Sequence, residues 1–182
     1  MSDTTSTESS AVSTHEAEID NSNRSTTPQT ETFLGYIMSG WAEGDNALPA
    51  QREAATFAAD RRARLGAQYA GKRLVVAAGT MKQRSNDTFY PFRAHSAFAH
   101  LTGWGSDSEP GAVLVFDPSA DHGGSADTHD ATLYFRERAG RDSEEFFANA
   151  EIGELWIGPR PSLAQVAADP GLRTAQRATP AS

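Results

Sequence analysis

The chain has 182 residues, 38% of them hydrophobic, with a mean hydropathy of −0.53 and no cysteine. That allows one domain, or one domain plus a tail, and excludes a disulfide framework and thiolate chemistry. Five units of the formal net charge of −8 come from residues 1–32, where six acids face Arg24 alone; the mildly acidic remainder lacks the concentrated Lys and Arg of a nucleic-acid surface.

Residues 1–32 hold only Val12 and Ile19 as large apolar side chains, so they are expected to stay disordered as an acidic Ser/Thr-rich tail. Residues 33–50 follow as a docking segment, with Phe33, Leu34, Ile37, Met38 and Trp41 at helical spacing. The main domain is expected over 51–170. A helix is predicted from Pro49 to Tyr69, with Ala54, Phe57, Ala58, Leu65 and Tyr69 on the inward face and Gly71 after its end. Arg61 falls inside that stripe without an evident reason. Leu74–Ala78, Ala112–Phe116 and Ala131–Phe135 read as buried strands, with Ser119–Asp130 an exposed loop between the last two. Asp142–Ala150 is predicted helical with Phe146 and Phe147 inward, and Ser162 is predicted to cap a helix to Ala168. Beyond Pro170 the pattern fades, and 171–182 is expected to be a disordered end. Strands separated by helices imply an α/β domain, a layered mixed sheet with flanking helices.

Chemistry is sparse. His122 and His129 share a Gly-rich loop with Asp121, Asp127 and Asp130, which reads as solvated surface rather than a metal cage. His95 and His100 are five apart and read as packing or capping residues, and no His-Glu-x-x-His motif occurs. There is no Gly-x-Ser-x-Gly elbow and no phosphate-binding glycine loop. No apolar run approaches the roughly 18 residues that cross a bilayer, and the front lacks a signal-peptide pattern. A cytoplasmic protein with no membrane and no nucleic-acid partner is expected.

One stretch is more telling. Phe89-Tyr90-Pro91-Phe92-Arg93 leads through Ser96, Phe98 and Leu101-Thr102-Gly103-Trp104 to Glu109-Pro110 and the strand at Ala112. Further on come Leu133-Tyr134-Phe135 and Glu154-Leu155-Trp156-Ile157-Gly158-Pro159-Arg160. These blocks, in this order over roughly residues 52–165, resemble the amino-terminal domain of the aminopeptidase P family. Ala97 and His100 depart from the family pattern, where an Asp and an aromatic are usual, and Gly140–Gly153 is longer than the common form.

The resemblance implies a non-catalytic domain of a Xaa-Pro aminopeptidase, a metallopeptidase that removes the residue preceding proline. It implies no cofactor in this chain, with two Mn²⁺ held by two Asp, one His and two Glu of a separate catalytic domain expected to be absent here. It also implies peptide substrates with proline at the second position, a homo-oligomer, and Trp156, Arg160, Tyr90 and Arg93 as substrate-pocket candidates. Trp156 is expected to be exposed and Trp104 enclosed. Whether the domain's own last strand and helix are included stays open, as does a second reading as a free-standing α/β binding module.

Overall fold

The computed structural model describes residues 30–86, 88–105, 107–119, 129–137, 139–143, 145–149 and 152–177. The expectations for residues 1–29, for Asp121, His122 and Asp127, and for 178–182 lie outside them. Two compact units form. One gathers the described residues up to Ala42 with Ala139–Trp156; the other takes Glu43–Arg138 and Ile157 onward.

In the first unit, α1 (Glu31–Ile37) starts at Thr30, whose hydroxyl accepts from the Phe33 amide at 3.2 Å. It buries nothing by itself. Its apolar side, Phe33, Leu34, Ile37 and Met38, packs against Phe146 and Phe147 of the short helix α4 (Glu145–Ala148). Phe33 meets Phe147, and Trp41 meets Phe146, each edge-to-face at 5.4 Å between centroids. The docking segment and the inward Phe pair were both legible in the sequence, although α4 is shorter than the helix predicted over 142–150. Gly153 has no room for a side chain: a Cβ there would collide with the carbonyl oxygens of Glu145, Phe146 and Asn149. The following turn is α5 (Glu154–Ile157).

The second unit holds a four-stranded sheet in the order β1 (Leu74–Ala77), β4 (Val113–Pro118), β5 (His129–Phe135), β6 (Arg173–Gln176). β1, β4 and β5 run antiparallel, with Leu74 opposite Phe116 and Leu114 opposite Leu133. β6 lies parallel to β5, pairing Thr132 with Arg173. A separate hairpin joins β2 (Gln83–Ser85) to β3 (Thr88–Phe89). The helices are α2 (Ala54–Gln68), α3 (Ser96–Thr102) and α6 (Leu163–Ala168). The core gathers Phe98, Trp104, Leu114, Phe116, Leu133 and Phe135, all at 1% exposure or less, with Val166 of α6 and Leu172. Each such side chain contributes roughly 1.5–3 kcal/mol by leaving water. Ser162 caps α6 as predicted, in a reciprocal box with Gln165. The mixed sheet with flanking helices is the fold class the sequence implied.

Several local expectations are corrected. The buried face of α2 is Ala55, Ala58 and Gly66, while Phe57 and Tyr69 are 55% and 44% exposed. Small residues win because Gly66 admits the His129 ring; a Cβ there would lie 2.8 Å from its Nδ1. His129 is therefore not loop: β5 begins two residues earlier than predicted, and its Nε2 lies 2.8 Å from the Lys72 carbonyl oxygen. β1 is an edge strand rather than a fully buried one, with Val75 62% exposed. Finally, order does not fade after Pro170. Arg173–Gln176 forms β6 because backbone pairing with β5 needs no apolar run, and the Thr174 hydroxyl donates to the Leu163 carbonyl at 3.0 Å.

Candidate functional site

The block from Phe89 to Trp104 folds around the carboxyl end of α3. Gly103 takes φ +70°, a left-handed turn that ends the helix. The Thr102 hydroxyl donates to the Phe98 carbonyl at 2.8 Å and accepts from the Trp104 amide at 3.0 Å, which drives the Trp104 indole into the core. A helix end leaves carbonyls without intrahelical donors. Three arginines supply them. Arg61 donates to the His100 carbonyl at 3.1 Å, Arg62 to Leu101 at 2.8 Å and Arg52 to Gly103 at 3.0 Å. This explains Arg61 within the apolar stripe of α2: cations there meet the negative end of α3.

Arg52 also ties this corner to two carboxylates, Asp169 at the end of α6 and Asp107 at 2.9 Å. Its guanidinium is held further above its ordinary value by the hydrogen bond to Asp169, against the opposing effect of burial. Burial works against charge on Asp107, yet the hydrogen bond and field of Arg52 hold it below the usual carboxylate range. Burial alone pushes the Arg62 guanidinium down.

Beside Asp107 stands Glu109, 4% exposed, whose Oε1 accepts from Arg160 Nη1 at 3.2 Å. Burial pushes its carboxyl up to about 7, with the Asp107 charge adding to the rise and Arg160 opposing it. The four residues singled out from the sequence therefore fall into different settings. Arg160 is largely buried and committed to Glu109. Tyr90 is 53% exposed, its amide donating to the Lys82 carbonyl at 2.9 Å, and Arg93 is exposed nearby in sequence. Trp156 belongs to the other unit. It is 61% exposed, and its Nε1 donates to the Phe147 carbonyl at 2.6 Å, so the ring is fixed at its polar corner while its faces meet solvent. Trp156 is thus exposed and Trp104 enclosed, as expected.

Sequence reasoning missed Glu109, Arg52 and Asp169 as an organised set. Their signal was faint: acids beside prolines, at Glu109-Pro110 and Asp169-Pro170, and an arginine just ahead of a helix. Among the described residues, no three His, Asp or Glu side chains converge where an ion would sit. The residues described do not fit the metal pair that the resemblance implies for complete enzymes.

Comparison with known proteins gives a consistent result. The family described as "Aminopeptidase P, N-terminal domain" matches residues 58–180. Xaa-Pro aminopeptidase 2 of Streptomyces coelicolor is 42% identical over 139 residues, covering 76% of this chain and 28% of that protein. Xaa-Pro aminopeptidase 1 of the same organism is 45% identical over 130 residues, covering 71% and 24%. The chain thus spans about a quarter of the length of these relatives. Among solved structures, aminopeptidase P from Escherichia coli with the inhibitor Pro-Leu superposes with a TM-score of 0.51 at 26% identity, over 70% of this chain and 25% of that one.

Proposed function

This chain belongs to the aminopeptidase P amino-terminal domain family, and from that premise we propose that it serves as the non-catalytic front domain of a Xaa-Pro aminopeptidase. The parent enzyme removes the residue ahead of proline from cytoplasmic peptides, with its manganese pair held in a separate catalytic domain. Assembly of copies through such domains narrows access to peptides with a free amino end.

The observation that carries this reading is the presentation of Trp156. A large indole held out by a hydrogen bond to Phe147, with Gly158 at φ +76° just after it, has little packing to lose and apolar faces to offer. In the proposed enzyme those faces pack against apolar groups of the peptide. Tyr90 and Arg93, exposed on the segment after β3, are further peptide-contact candidates. Arg160 is the remaining candidate from the resemblance, and its pairing with Glu109 fixes the start of the segment leading to α6.

The test is kinetic. In a complete Xaa-Pro aminopeptidase carrying this domain, Trp156→Ala should raise KM or lower kcat for Xaa-Pro peptides while the thermal midpoint stays nearly constant. Unchanged kinetics with a destabilised domain would show instead that the indole is a packing residue.

A further inference from the structure

On α2, Arg61, Arg64, Leu65 and Gln68 share a face, because positions three and four apart are helical neighbours. Together with His100 and Leu101 of α3 they line a depression of about 230 Å³. Its lining combines two apolar side chains, Leu65 and Leu101, with two guanidiniums, an imidazole and a carboxamide. Among the described residues no acidic side chain lines it; the nearest acid in sequence is Asp60, one turn before Arg64 on the same helix. In a chain of net charge −8, such a concentration of donors without an acid is a local reversal of sign.

Part of the rim is already fixed. Arg61 is held by its hydrogen bond to the His100 carbonyl, which leaves its other N–H groups directed elsewhere. Arg64 and His100 are exposed. The cations at the end of α3 also offset the negative carbonyl pole that would otherwise repel an anion there.

We propose that this depression between α2 and α3 is a binding site for a small oxyanion, phosphate or carboxylate. Arg61 and Arg64 provide its charged donors, Gln68 a neutral one, and the two leucines its apolar lining. Planar guanidiniums suit both ligands because each presents paired oxygens to their fork of N–H groups.

The experiment is a titration of the whole chain, followed by amide chemical shifts, with inorganic phosphate in one arm and acetate in the other. Potassium chloride at matched ionic strength serves as the reference. Saturable shifts confined to residues 61–68 and 98–102 are expected, and the arm with the tighter binding identifies the source of the oxyanion. Arg64→Gln, at an exposed position of α2, should weaken binding roughly tenfold, the loss of one charge-assisted hydrogen bond. Arg61→Gln should weaken it as well, with the thermal midpoint recorded to separate binding from loosening of α3. Shifts no different from those with potassium chloride in both arms, or unaltered binding by Arg64→Gln, would overturn the proposal.

Discussion

Glu109→Gln isolates the buried carboxylate. With its carboxyl raised to about 7 from an ordinary 4.5, the folded protein retains a proton that the unfolded chain has already released between those values. Stability conferred by that proton is therefore complete below about pH 4.5 and is lost as pH rises through about 7. At about 1.36 kcal/mol per unit, the shift corresponds to roughly 3 kcal/mol, most of it from desolvation that Arg160 only partly offsets. For a protein of this size that is roughly 6–12 °C in thermal midpoint. The assay is calorimetry of the wild type and Glu109→Gln at intervals from pH 5 to pH 8. The glutamine keeps an acceptor for Arg160 and cannot ionise, so the difference between the two chains removes the titration of every other group. The wild-type midpoint should fall relative to the variant as pH rises. A difference that stays flat, or that moves in favour of the wild type toward pH 8, would refute the account of Glu109 as a carboxylate burdened by burial.

Arg52→Met should cost about 2–3 kcal/mol by denaturant unfolding, since it abandons Asp169, Asp107 and the Gly103 carbonyl together, and Arg52→Lys should recover only part of that. Gly153→Ala should destabilise the unit built on α1 and α4 by about 2 kcal/mol or more, seen as faster amide exchange at Phe146 and Phe147. Trp104→Ala should cost about 3–5 kcal/mol, against about 1 kcal/mol or less for Trp156→Ala; equal losses would contradict the difference in their burial. Calorimetric titration of the chain with Mn²⁺ should show no stoichiometric micromolar site, because the Asp and His residues described here do not converge.

What could be read in advance followed the strength of the apolar signal. Leu74–Ala77, Val113–Phe116 and Ala131–Phe135 were recognisable as strands because their side chains are sheet-forming and tightly bounded by turn residues. The Phe146–Phe147 pair and the Ser162 cap were legible because each is a local pattern. β6 was hidden because Arg-Thr-Ala-Gln has no apolar periodicity; its place is fixed by a neighbour about forty residues away. The inward face of α2 was read correctly at Ala58 but misread at Phe57 and Tyr69, which looked like core, whereas helix packing selected Ala55 and Gly66. In the candidate site, the exposure of Trp156 was anticipated, while the pairing of Glu109 with Arg160 could not be. No local rule links two charges 51 positions apart.

The parallel pairing of β6 with β5 sets the order in which the sheet can assemble. β4 and β5 meet through one antiparallel turn-back, but β6 must return past α4, α5 and α6 before Arg173 reaches Thr132. Closing a loop of that length costs roughly 3 kcal/mol in chain entropy, recovered only once the pairing and the Val166–Leu172 contacts are complete. Such long-range closure slows folding and falls late in it. β1 closes a loop of nearly the same length on β4, so both sheet edges form around the β4–β5 pair and should open before it. Leu133 and Phe135 would then gain solvent on the flank where β6 had lain.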